Sequence, residues 1–303
     1  MPEALIIDHH GSSLVLRGER LVLWSRGIGE IGSWRSTALP FDRVIVQAHG
    51  GVVTWPALRM LAERGIPLTV LSFDGQPTTE VLPAGLDRAR DLLAQVRAHL
   101  DPQRRFEVAR FILSEKLGYE PPPIYRTIED LRLYEAKEAE KEWTKLGIVR
   151  ERPHARDVRN AALNYGFAIL ESIVRTAVHR KGLSTTTGFL HVPREGKDSF
   201  VYDVMEKFRA AAVRAILSER ITARDAYAVF RIGLRLRPTA AKRVAEAVGH
   251  AVPARDVEEF LRRLTLAFEV APLLRPRCKA PSSRSPQRHV PSWADTETTR
   301  PRC

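Results

Sequence analysis

Cysteine is almost missing from this chain. Its 303 residues hold two, Cys278 and Cys303, both near the C-terminal end. Everything before them therefore offers no disulfide framework, no cysteine-rich zinc site and no thiol nucleophile. Long apolar runs are missing too: no stretch reaches the roughly 18 residues that read as a membrane span. The opening MPEALIIDHHGSS lacks the basic start and apolar run of a signal peptide. These absences fit a protein of the reducing cytoplasm with no membrane partner. Acidic residues are in deficit, 36 against 48 Lys and Arg, for a formal net charge of +12. Residues 275–303 contribute +5 of this, and the preceding 274 residues remain basic at +7. A balance of that sign points to a polyanionic partner, nucleic acid or an acidic membrane surface.

What is present divides along the chain. Residues 1–75 read as a small β-rich domain. Leu14-Val15-Leu16 and Leu21–Trp24 flank Arg17-Gly18-Glu19-Arg20, a hairpin pattern, with further strands at Val44–Val46 and Ile66–Ser72. Between them Thr54 caps a short helix, with Pro56 in its first turn and Gly65 at its end. Residues 76–85 read as a turn-rich linker. From residue 86 the apolar period becomes 3.6, predicting helices at 86–99, 102–118, 125–146, 155–181, 200–218, 222–234, 238–249 and 254–270. The fold class is α+β, with the β-rich domain followed by a larger all-α catalytic domain over 86–274. The Pro-, Ser- and Arg-rich residues 275–303 read as a disordered basic tail.

One motif misleads. Gly27-Ile28-Gly29-Glu30-Ile31-Gly32 matches a dinucleotide fingerprint, yet no helix begins there and no acid ends the following strand. It reads as a turn between strands.

The chemistry-bearing stretch is GFLHVPREGKDSFVYDVMEKFR, Gly188 to Arg209. His191 precedes Asp203 and Glu206, whose i, i+3 spacing puts both carboxylates on one face of a helix. A histidine aimed at two carboxylates is a divalent-metal constellation, which in a basic protein suggests phosphodiester chemistry. A third acid comes from IEDLRLYEAKEAEKEWTKL, where Glu135 lies on the stripe of Ile128, Leu131, Ala139, Trp143 and Leu146. Glu138 and Glu142 lie near the same stripe, and Glu171 is a rival from another apolar helix. Periodicity alone does not choose among them. Arg224, Arg231, Arg235 and Arg237 are candidate phosphate contacts, with Arg231 and Arg235 four apart on a predicted helix.

In that order, these segments resemble the CRISPR-associated integrases, the family of CRISPR-associated protein one, over roughly residues 1–270. The match runs through VVTWPALRMLAERGIPLTVLS, LRLYEAKEAEKEW, NAALNYGFAILESIV, GFLH and SFVYDVMEKFR. The resemblance assigns the first metal-binding glutamate to Glu135 rather than Glu171. It assigns the histidine to His191 and the last two acids to Asp203 and Glu206, although Ala136 stands where glycine often follows the glutamate. It implies Mn²⁺ or Mg²⁺ held by Glu135, His191 and Glu206, with Asp203 either serving a second metal or orienting His191. It implies insertion of spacer DNA by attack of a 3′-hydroxyl on a phosphodiester. It also implies a homodimer through the β-rich domains, CRISPR-associated protein two as companion, and double-stranded and branched DNA as substrate. Two other readings stay open: a structure-selective nuclease on branched DNA, and a non-catalytic DNA-binding scaffold.

Overall fold

The computed structural model describes residues 3–48, 50–72, 77–84, 89–150, 155–229 and 233–269. Cys278, Cys303, Arg231, the tail from 275 and residues 76 and 85 of the linker lie outside the described residues. The chain opens with β1 (Glu3–Ile7), β2 (Ser12–Arg17), β3 (Arg20–Ser25), β4 (Gly29–Arg35), β5 (Phe41–Val46), β6 (Gly51–Val53), α1 (Trp55–Glu63), β7 (Leu68–Leu71) and β8 (Pro77–Val81). These strands form two four-stranded sheets, ordered β1-β5-β7-β8 and β4-β3-β2-β6. The hairpin read at Gly18-Glu19 joins β2 to β3, with Gly18 at φ +59°, where a side chain would be strained. Gly27 and Gly29 form the turn into β4, so the false fingerprint belongs to a hairpin.

Strand β5 explains how the sheets meet the helices. It pairs in parallel with β1 and β7, and its Val44-Ile45-Val46 end is apolar on both faces. Val44 joins the core between the sheets with Leu14, Leu21 and Leu61, while Ile45 points the other way into the helical core. Thr69 and Ser172 share a hydrogen bond across that wall, and Arg180 donates to the carbonyls of Asp42 and Gly65.

The helical region comprises α2 (Ala89–Leu100), α3 (Pro102–Leu117), α4 (Ile128–Leu146), α5 (Val158–Arg180) and α6 (Ser199–Ser218). The strands β9 (Ala226–Val229) and β10 (Gly233–Leu236) precede α7 (Pro238–Ala251) and α8 (Ala254–Glu269). Capping fixes the ends that matter for the site. Asp101 accepts from the amides of Gln103 and Arg104, starting α3, and Gly118 ends it at φ +78°. Thr127 and Asp130 form a capping box at the start of α4. α5 runs through the middle of the core, and at Gly166 a Cβ would sit 2.3 Å from Ile216, so glycine lets α6 approach.

Two differences from the sequence reading stand out. The predicted helix 222–234 is instead a short 3₁₀ turn followed by the antiparallel pair β9–β10. Leu234, Arg235 and Leu236 alternate at period two, and Gly233 adopts φ +90° against the backbone of Ala155, so the chain cannot stay helical there. Arg235 therefore lies on a strand rather than on the predicted helix. Strands β1, β4, β6 and β8 lie outside the strands that the sequence pattern predicts; β8, opened by Pro77, pairs with β7 inside the turn-rich segment.

Candidate active site

Helix α6 turns Asp203 and Glu206 inward, where they are 0% and 1% exposed. A buried carboxylate must find donors. Asp203 finds four. Its Oδ2 accepts from the amides of Phe189 and Leu190, and its Oδ1 from the amide of His191 and from His191 Nδ1, both at 2.8 Å. The i, i+3 pair is thus split in function, because Asp203 is spent on the loop that carries the histidine. That loop is braced from outside by α2: Gln95 bonds both ways with Ser184, and the ring of His99 meets the Gly188 carbonyl at 2.7 Å. Phe189 stacks on Phe268 with centroids 5.1 Å apart.

With Asp203 accepting at Nδ1, that nitrogen carries the proton, and the neutral ring presents its Nε2 lone pair outward. Burial opposes charge on His191, but the hydrogen bond and charge of Asp203 outweigh it, so its pKa is raised above the usual 6.5.

Glu206 and Glu135 arrive from different helices and meet at Lys116, near the end of α3. The Lys116 ammonium donates to Glu206 Oε2 at 2.6 Å and to Glu135 Oε1. The lysine side chain is only 8% exposed. Glu206 Oε1 lies 2.8 Å from Arg209 but finds no aligned hydrogen bond. Burial works against the Glu206 charge, yet Arg209 and Lys116 hold its pKa below the ordinary value.

The structure thus brings Glu135 and Glu206 together and pins His191 to Asp203. Glu171 is elsewhere: it pairs with Arg175, which also reaches Glu80 and Asp198. Glu138 pairs with Lys141 on the surface. Among the described residues no three acids or histidines stand at metal-holding spacing. The reason is visible in the contacts, since a cation already lies between the two carboxylates. Donor chemistry nevertheless suits a hard divalent ion: carboxylate oxygens, an imidazole with a free Nε2, and the under-bonded Glu206 Oε1.

Lys116 is the residue sequence reasoning missed. Its signal was available, because Lys116 continues the i, i+4 line of Val108 and Ile112, which are 1% and 0% exposed. A charge on a buried stripe marked Glu135, and the same test marks Lys116.

Comparison with known proteins gives the family and the fold. A CRISPR-associated endonuclease Cas1 from Hyperthermus butylicus is 28% identical over 260 residues, covering 70% of this chain and 76% of that protein. A casposase solved bound to integration product superposes with TM-score 0.76 at 22% identity, over 89% of this chain and 92% of that one. A Cas1 protein from Thermotoga maritima gives TM-score 0.75 at 15% identity, over 88% and 97%. The sequence description of CRISPR associated protein Cas1 matches residues 5–120 and 126–249, and so the chain belongs to the Cas1 family.

Proposed function

We propose that this protein is a divalent-metal-dependent DNA strand-transfer enzyme of CRISPR adaptation. The observation that carries the reading is the pair of carboxylates from α4 and α6 gathered around one ammonium, beside a histidine whose Nδ1 is fixed by Asp203. Glu135, Glu206 and His191 Nε2 would hold Mn²⁺ or Mg²⁺. When bound, the ion polarises a phosphodiester and stabilises the charge that builds on it during displacement. Asp203 is a positioning residue: fully engaged by four donors, it fixes ring orientation and tautomer rather than serving a second metal. Arg209, 2.8 Å from Glu206, would be a further cation for the reacting phosphate.

In the transfer, a DNA 3′-hydroxyl gives up its proton to solvent and attacks phosphorus, a new P–O bond forms as the bond to the displaced 3′-oxygen breaks, and that oxygen leaves as a hydroxyl after taking a proton from solvent. Water in place of the 3′-hydroxyl gives cleavage, the endonuclease outcome named for the Hyperthermus relative. The casposase complex holds an integration product, which supports transfer for a related fold. A two-ended insertion needs two copies of this site. A homodimer through the β-rich domains, assembled with CRISPR-associated protein two, supplies them on double-stranded or branched DNA.

The test is a strand-joining assay with labelled 3′-hydroxyl duplex, a repeat-bearing plasmid and Mn²⁺, with and without the companion protein. Joined product that disappears in His191→Ala is the expected result. Cleavage without joining would favour the nuclease, and DNA binding without either reaction would favour the scaffold.

A further inference from the structure

A second concave site lies on α6, away from the carboxylates. A cavity of about 450 Å³ opens between the end of α4, the start of α5 and the end of α6. Leu146, Ile148, Ile216 and Ile221 supply its apolar walls, and Arg159 and Arg220 bring two guanidinium groups. Its volume falls in the range of small-ligand sites, which combine an apolar lining with a few polar groups.

Neither arginine makes a salt bridge among the described residues, although the amide and the charge of Arg159 help keep the Asp157 carboxylate ionised. Glu219 pairs with Arg243, and Asp157 caps α5 through Asn160. Arg220 also sits where an arginine is disfavoured. It follows the end of α6 at φ +48°, and among the described residues it alone combines positive φ with a side chain. Glycine fills that left-handed position at helix ends without strain. Retaining arginine there trades backbone comfort for a guanidinium at the cavity.

We propose that this cavity holds one nucleotide unit of the DNA strand, its base against the apolar walls and its phosphate between Arg159 and Arg220. Paired guanidinium groups match phosphate oxygens, and extrusion lets a protein hold a base outside the stack. The proposal rests on the DNA reading above and adds where the strand goes next. Ile216 lies ten residues beyond Glu206 on α6, about 15 Å at 1.5 Å per residue. That separation corresponds to about four base steps at 3.4 Å each.

The experiment uses the full chain and DNA substrates carrying a single 2-aminopurine, moved one position at a time. Expected is a fluorescence change confined to one or two adjacent positions. It weakens about tenfold in apparent affinity in an Arg159→Gln/Arg220→Gly double variant, as loss of a charge-assisted phosphate contact implies. Arg220→Gly alone should raise Tm while weakening the signal, a combination that a merely structural arginine would not give. DNA bound with no responsive position, or a response that survives the double variant, overturns the proposal. Free dAMP that raises Tm only with both arginines present, without any responsive DNA position, would assign the cavity to free nucleotide and overturn the strand placement. Absence of DNA binding altogether would bring down the strand-transfer reading, and this proposal with it.

Discussion

Two buried charge clusters on α3 stand one residue apart and are built oppositely. Glu115 is closed: both its oxygens are held by Arg263 of α8, and Lys207 of α6 adds a third cationic contact at 2.7 Å. Two cations serve one carboxylate. Lys116, its neighbour, is the single ammonium bridging Glu135 and Glu206. The first cluster has no capacity left and ties three helices together. The second, with Arg209 beside it, keeps a carboxylate oxygen, Glu206 Oε1, that no aligned donor fills. Saturation marks structure, and an unfilled acceptor leaves room for a further cation.

The sharpest way to break this comparison is on the unfilled side. Glu206→Gln and His191→Ala should each lower Mn²⁺-dependent strand joining by about a thousandfold, the upper range for removing one group that stabilises transition-state charge. Single-turnover assays with labelled duplex would measure it, and far-ultraviolet circular dichroism should remain unchanged for His191→Ala. A residual rate within a few fold of wild type would remove these residues from the site.

On the saturated side the expected loss is stability. Glu115→Ala leaves the part-exposed Lys207 and Arg263 without their partner, and losing hydrogen bonds to charged groups costs about 1.5–3 kcal/mol. Urea unfolding would show it, while Mn²⁺ affinity of the folded protein stays put. The same residue gives a pH test. Burial raises the Glu115 pKa, but the Arg263 and Lys207 hydrogen bonds overcome it, so the folded value lies below 4.5. The contribution is therefore present above the unfolded value and lost as pH falls through the folded one. Glu115→Gln should flatten the acid limb of the stability curve, and an unchanged limb would contradict the assignment.

Lys116→Met sharpens the contrast between the neighbours. Without its internal competitor the site should bind Mn²⁺ about tenfold more tightly by isothermal titration, equivalent to about 1.4 kcal/mol. In chelator its Tm should fall, because two carboxylates lose a common partner, and Mn²⁺ should restore it. Affinity equal to wild type would mean that the lysine and the ion do not compete. The smallest effect belongs to Glu138→Gln on the exposed face of α4, whose pairing with Lys141 is worth about 0.5 kcal/mol or less. Neither Tm nor joining should move measurably.

Much of this was legible in the residues. Helices with strong 3.6 periodicity and clear caps, such as α3 and α4, appear within a few residues of the sequence reading. The hairpin at Gly18 announced itself through its turn chemistry. Failures came where tertiary contact decides. Gly233 must pass close to Ala155, a neighbour distant in sequence, and this sends an apparently helical segment into β9 and β10. The acids at Asp203 and Glu206 are visible as a pair, and resemblance gives them different roles, but the sequence leaves Asp203 open between serving a second metal and orienting His191. Whether a carboxylate is filled by amides or left for a cation depends on the loop from Gly188 to His191, which spacing alone does not fold. Glu135 could be ranked above Glu171 only by resemblance; in the structure the two separate according to whether the neighbouring cation is Lys116 or Arg175.

Strand β5 carries a consequence for inheritance. Its alternate residues are pegs for two different partners, Val44 for the sheets and Ile45 for the helices. A hybrid that took its first strands from one ancestor and its helices from another would have to match both sets at once. The two halves of this protein are therefore a matched pair, and drift on one side of that strand must be answered on the other.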